Sequence, residues 1–179
     1  APAHFSKDGI TIAGLSISQL VGPGVVLDFS TEAENNADAR LSLEFVKGWE
    51  QRNGPIPKGA IVLLRTGWGR RWPNAIEYLG DDTQGDVSNL HFPGYGQEAV
   101  SYLIDKKNVR AIGIDTASVD YGQSQDFIVH QIAAKSGIVN FENVGQLEEL
   151  PQKGFWVMAL PTKIENGSGG PVRIVAVVE

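Results

Sequence analysis

The chain has 179 residues, 42% of them hydrophobic, a formal net charge of −6 and no cysteine. That length suits one domain able to bury about 70% of the surface its unfolded chain exposes. The missing thiols exclude disulfides, thiolate nucleophiles and cysteine-based zinc sites, and the acidic balance argues against nucleic acid, which is gripped through Lys and Arg.

The first two dozen residues are loop-rich, with Leu15, Ile17, Leu20 and Val21 as apolar anchors. Gly24–Phe29 (GVVLDF) is a predicted buried strand. Thr31–Asp38 is polar and acidic and is expected to be a loop. Ser42–Arg52 carries Leu43, Phe45, Val46 and Trp49 at helical spacing, with Ser42 as N-cap and Asn53-Gly54 as the stop. Ala60–Arg65 (AIVLLR) is a second strand. Gly67–Asn89 mixes Gly, Trp, Pro and Asp without periodicity, and a loop of that length is often functional. Tyr95–Lys107 is a predicted helix with Ala99, Val100, Leu103 and Ile104 on one face. Val109–Ile114 is a strand ending at Asp115, and Gln125–Lys135 is a helix ended by Gly137. Gly154–Leu160 and Val172–Val178 are strands around a turn at Asn166–Gly170. The alternation predicts a single α/β domain over 1–179 with a mixed central sheet flanked by helices.

The apolar stretches Ala60–Leu64 and Ile174–Val178 are far too short to span a bilayer. No signal peptide is recognisable, so no membrane association and a cytoplasmic location are expected. Asn166-Gly167-Ser168 spells a glycosylation sequon, better read as a Gly-rich turn.

Without cysteine, a transition-metal site must draw on the three histidines, His4, His91 and His130, together with carboxylates. His130 lies in a predicted helix, and Glu142 follows just past the apolar stretch Ile138–Phe141. A helix followed by a short strand can bring two such residues to one end of a sheet, where imidazole and carboxylate suit zinc or manganese. Taken alone, the pair reads better as a hydrogen-bonded histidine and a surface glutamate. His4 sits in a loop after Pro2 and could transfer protons near neutral pH, although a structural role is the simpler reading of it alone. His91 is given no catalytic role. Asp115 and Asp120 follow a strand, a common place for ligands and equally for turn-forming aspartates.

Gly94-Tyr95-Gly96-Gln97-Glu98-Ala99 matches a G-x-G-x-x-A dinucleotide string, but no strand feeds its glycines, so that reading is disfavoured. Arg65, Arg70 and Arg71 with Trp68 and Trp72 could grip bases or an aromatic anion, or simply stack in a loop. The acidic balance favours a small molecule.

Several stretches, taken together and in order, resemble the cyclase family of metal-dependent hydrolases, which includes bacterial kynurenine formamidase and isatin hydrolase. Ala1-Pro2-Ala3-His4-Phe5 looks like the tail of a His-x-Gly-Thr-His-x-Asp-x-Pro-x-His motif. LVGPGVVLD at 20–28, LLRTGW at 63–68, GIDTASVDYG at 113–122 followed by FIVH at 127–130, Glu142-Asn143, and GSGGPVR at 167–173 continue the resemblance along essentially the whole chain.

The resemblance implies hydrolysis of a formamide, lactam or cyclic amide C–N bond in a small, aromatic substrate. It further implies a divalent cofactor, zinc or manganese, held in part by His130 and Glu142. His4 would transfer the proton, and homo-oligomers are common in the family. Thr66 and Trp68 become candidates for the substrate wall. The leading histidines and aspartate of the motif would precede Ala1, so the chain is read as starting partway through it. A non-catalytic module, using the fold for binding or oligomerisation, is therefore the alternative expectation.

Overall fold

The computed structural model describes residues 1–178. Its strands are β1 (Val21–Asp28), β2 (Arg40–Leu41), β3 (Ile61–Arg65), β4 (Gly94–Tyr95), β5 (Ala111–Ile114), β6 (Val139–Phe141), β7 (Phe155–Ala159) and β8 (Ile174–Val178). Its α-helices are α1 (Ile17–Leu20), α2 (Ser30–Asn35), α3 (Leu43–Asn53), α4 (Ala75–Leu79), α5 (Gln97–Asp105) and α6 (Ile128–Lys135).

Six strands form one mixed sheet in the order β6-β5-β3-β1-β7-β8. The pairs β1/β3, β3/β5 and β5/β6 are parallel, whereas β7 runs antiparallel to both β1 and β8. The sequence dictates where the parallel part lies. Ile61-Val62-Leu63-Leu64 is apolar on both faces, as a strand buried on both sides must be, and all four residues are 0 to 1% exposed. It pairs residue for residue with Gly24–Leu27 on one side and Ala111–Ile114 on the other.

The alternation of side chains splits these strands between two cores. On one face Val25, Leu27, Val62, Leu64, Ile112 and Ile114 meet the apolar stripes of three helices: Val46 and Trp49 of α3, Val100 and Leu103 of α5, Val129 and Ala133 of α6. On the other face Val26, Ile61, Leu63, Ala111 and Val157 are covered by Ile12, Leu15, Leu20 and Leu147. The helix α3 starts where the sequence predicts, with the Phe45 amide donating to Ser42 Oγ at 3.1 Å.

Three expectations are corrected. Residues 31–38 are not simply loop, because α2 occupies Ser30–Asn35; only Ala33 of it is buried, so it has no apolar stripe to read. Asp28 starts it by accepting from the Ser30 amide and hydroxyl, at 3.3 and 2.7 Å. The strand expected from Gly24 begins earlier, at Val21. The stretch 67–89 contains a 3-10 turn at Trp68–Arg71 as well as α4.

The G-x-G-x-x-A string has a packing explanation. Gly94 and Gly96 lie in and beside the short parallel pair β2/β4, and a Cβ on Gly96 would stand 2.5 Å from the Leu41 carbonyl oxygen. Close backbone approach, rather than phosphate binding, requires glycine there. No helix among the described residues is long and apolar enough to cross a membrane.

Candidate active site

The site grows from a buried carboxylate. Asp120 is 2% exposed and lies between β5 and α6. It accepts the Val129 amide at 2.9 Å, the His130 amide at 3.1 Å and His130 Nδ1 at 2.7 Å. The first turn of a helix leaves its amides without intrahelical acceptors, and an acidic side chain satisfies them. Asp120 thereby fastens α6 and orients an imidazole in one stroke. Phe127 precedes the helix in the left-handed region, at φ 50°, which turns the chain sharply into it.

With Nδ1 held, Nε2 of His130 is the nitrogen left for the cavity, and it stands 3.2 Å from Glu142 Oε1. Glu142 leaves the end of β6, and its Oε1 also accepts the Val119 amide at 3.1 Å. Burial works against a charge on His130, but hydrogen bonds to Asp120 and Glu142 outweigh it and raise the ring's pKa to about 9. At neutral pH, without a metal, the ring is an imidazolium bridging two carboxylates.

His4 ends the 3-10 turn Pro2–His4, whose buried Pro2 anchors it. Its Nδ1 lies 3.2 Å from Ser168 Oγ. Phe5, the next residue, lays its ring against that of His130, centroids 4.4 Å apart. His4, His130 and Glu142 line one cavity of about 480 Å³, which they share with Asn143, Ser168, Gly169 and Gly170. Its apolar wall is Ile12, Leu15, Phe141 and Val172. Such a mixture of apolar wall and few convergent polar groups suits a small organic molecule.

Thr66 and Trp68 are placed elsewhere. Both are 2% exposed, and neither lines this cavity. The Thr66 hydroxyl and amide, together with the Gly67 amide, donate to buried Asp115 at 2.6, 2.9 and 2.8 Å. Burial pushes the Asp115 carboxyl up, and those three bonds pull it back only in part. Trp68 donates its indole N–H to the Tyr78 carbonyl at 3.0 Å and carries Arg71 stacked 3.5 Å above its ring. The connection to the cavity is indirect: the Tyr78 hydroxyl lies 2.9 Å from Asn143 Oδ1 and 3.0 Å from the Asp115 carbonyl oxygen. Trp68 therefore backs Tyr78, which backs a residue of the cavity wall. His91 pairs with Asp38 at 2.9 Å on the surface, away from the cavity.

Two features escaped the residue pattern. The tie of Asp120 to His130 could have been suspected from a carboxylate shortly upstream of a helix. The approach of Ser168 to His4, 164 positions apart, has no local signal.

The donors fit a divalent ion in kind. Nε2 of an imidazole whose other nitrogen is held by a carboxylate, beside a second carboxylate, is a familiar presentation to zinc or manganese. Asn140, on the strand leading to Glu142, adds a buried Oδ1 with no hydrogen-bond partner. In number they fall short, since catalytic zinc usually keeps three protein ligands. Among the described residues no group of three or more His, Cys, Asp or Glu is placed to hold a metal.

An α/β domain with an imidazole–carboxylate pair at a small-molecule cavity defines a class that comparison makes specific. The family model described as Cyclase matches residues 1–121, and the chain belongs to the cyclase family. Its relatives include hydrolases. The isatin hydrolase of Roseibium aggregatum is 33% identical over 187 residues, spanning 99% of this chain and 69% of that protein. The kynurenine formamidase of Bacillus mycoides is 28% identical, spanning 98% and 71%. Isatin hydrolase A from Ralstonia solanacearum superposes with a TM-score of 0.92 at 37% identity, spanning 100% of this chain and 70% of that one.

Proposed function

We propose that this chain carries the working site of a metal-dependent amide hydrolase, which opens the C–N bond of a small formamide, lactam or cyclic amide with an aromatic ring. The single observation behind the proposal is His130 Nε2 at 3.2 Å from Glu142 Oε1, with Nδ1 fixed by Asp120, at a cavity that His4 also lines. The names of the relatives, isatin hydrolase and kynurenine formamidase, support the substrate class.

In this reading His130 and Glu142 would hold zinc or manganese. A divalent ion supplies Lewis acidity towards the carbonyl and makes a nearby water more acidic. The chain's own groups do the rest. Hydrolysis adds water across the bond: the hydroxyl goes to the carbonyl carbon and a proton to the nitrogen, which leaves poorly without one. His4 hands over that proton, then recovers one from water. Ile12, Leu15, Phe141 and Val172 hold the ring of the substrate and exclude water from its faces. Asn143, steadied by Tyr78, offers an amide to the substrate's polar edge. Asp120 keeps His130 from rotating.

The experiment is hydrolysis of isatin and of N-formylkynurenine by protein loaded with zinc or with manganese. Turnover that a chelator abolishes and added metal restores is the expected result; turnover indifferent to the chelator would overturn it. A second reading, a binding module without catalysis, draws on the absence of a three-residue metal cluster among the described residues. Folded protein that takes up neither ion and hydrolyses neither compound would favour that module.

A further inference from the structure

The loop between β7 and β8 runs beside the short turn that carries His4, and the two are fastened together. The Ile12 amide donates to the Gly167 carbonyl at 2.8 Å, and the Ala1 nitrogen donates to the Ser168 carbonyl at 2.9 Å. The loop is itself closed by the Gly167 amide on the Ile164 carbonyl at 3.1 Å. Backbone bonds thus pin Ser168 from two sides, and its hydroxyl is left to meet His4 Nδ1 at 3.2 Å. On its other flank the His4 ring stands edge-on to Phe5, centroids 5.1 Å apart.

We infer that Ser168 is a positioning residue for His4: its hydroxyl holds Nδ1, so that Nε2 is the nitrogen turned to the substrate. The inference rests on the hydrolase reading for its catalytic consequence, but not for its geometry. A hydroxyl both donates and accepts. Accepting from Nδ1–H, it suits the imidazolium, whose Nε2 proton the leaving nitrogen collects. It suits equally the neutral ring left behind, which keeps the proton on Nδ1 and has a bare Nε2 to take the next proton from water. One hydrogen bond therefore serves His4 through loss and recovery of the proton without moving the ring. Alanine at position 168 would leave the backbone bonds in place and remove only this control.

Side-chain nitrogen NMR of histidine-labelled protein tests the contact directly, with resonances assigned by replacing His91 and His130 in turn. In Ser168→Ala the His4 Nδ1 signal is expected to shift towards that of a free imidazole, while His91 and His130 stay put. Ser168→Thr, which keeps the hydroxyl, restores it; Ser168→Val, of the same shape, does not. Should the alanine variant unfold, the Thr and Val variants alone decide the matter. In metal-loaded protein, losing one hydrogen bond of this kind should lower kcat by roughly tenfold and leave KM within about twofold, with threonine recovering most of the loss. Identical His4 signals in the parent and the valine variant, or a loss confined to KM, would overturn the inference. If the parent hydrolyses nothing with either metal while the His4 signal still responds to the hydroxyl, the hydrolase reading fails and the contact stands.

Discussion

Two corners of this molecule are built on the same plan and end differently. Asp115 and Asp120 are both buried, both follow β5, and both accept two backbone amides and a close side-chain donor, Asp120 taking the Ser124 hydroxyl besides at 3.5 Å. For Asp115 the side chain is the Thr66 hydroxyl, itself 2% exposed, and the result is a closed turn under Trp68. For Asp120 it is the His130 ring, whose second nitrogen lines a cavity beside Glu142. A buried carboxylate at a strand end is thus no sign of chemistry by itself. What distinguishes the two is whether the partner has a second polar atom and somewhere to aim it.

The comparison breaks most visibly if the pair at the cavity is removed. His130→Ala or Glu142→Ala should abolish both metal uptake and turnover, read by elemental analysis and by product formation, because neither donor alone can hold a catalytic ion. Asp120→Asn should weaken metal binding by roughly 10–100-fold, as loss of an outer carboxylate usually does. Titration with zinc against a competing chelator measures it. If metal affinity in Asp120→Asn equals that of the parent, Asp120 and Asp115 are the same kind of residue after all. Asp115→Ala is the mirror experiment. It leaves the Thr66 and Gly67 donors without their acceptor and should cost about 2–3 kcal/mol in urea unfolding. Whatever folds should retain the parent's metal affinity.

A pH scan sharpens the contrast further. The His130 pKa stands above its ordinary 6.5, at about 9. The charged ring therefore stabilises the metal-free fold in full below the lower value, and the contribution is lost as pH rises through the upper one. The amount is at most about 3 kcal/mol, and Asp120→Asn should flatten the curve between those limits. A metal held by Nε2, as proposed, would have to displace its proton, so uptake should release protons and tighten as pH rises over the same range. The smallest effect belongs to Trp68→Phe. Losing its bond to the Tyr78 carbonyl should cost on the order of 1 kcal/mol of stability and leave KM nearly unchanged, measured by thermal unfolding and initial rates.

The elements legible in the sequence are those whose burial repeats with a period. The stripes of α3, α5 and α6 and the apolar runs of β3 and β5 carry their own signal, and the mixed sheet follows from their alternation. The helix α2 carries none, because Asp28 and not an apolar face initiates it. At the site, a helical histidine and a carboxylate past the next strand give only a weak signal for His130 with Glu142, and the family resemblance is what makes the pair the favoured one. Trp68 is ambiguous in the sequence because an aromatic beside arginines in a long loop looks the same whether it faces a ligand or the core; in the fold it is buried, with its indole N–H on the Tyr78 carbonyl. Ser168 was hidden for the plainest reason: contacts between distant parts of a chain leave no local pattern.

The order of the strands has a consequence for how the cavity is held. β1, β3 and β5 are each paired on both sides, whereas β8 hangs on β7 alone, and its Val175 and Val177 are 45 and 49% exposed. Amides of the inner strands should resist deuterium longest and those of β8 yield first. The loop bearing Ser168 is hinged to that outer strand, while α6, which bears His130, packs on the helix-covered face. His130 thus rides on a helix packed into the larger core, whereas Ser168 and Glu142 each lie beside an edge strand of the sheet, β8 and β6.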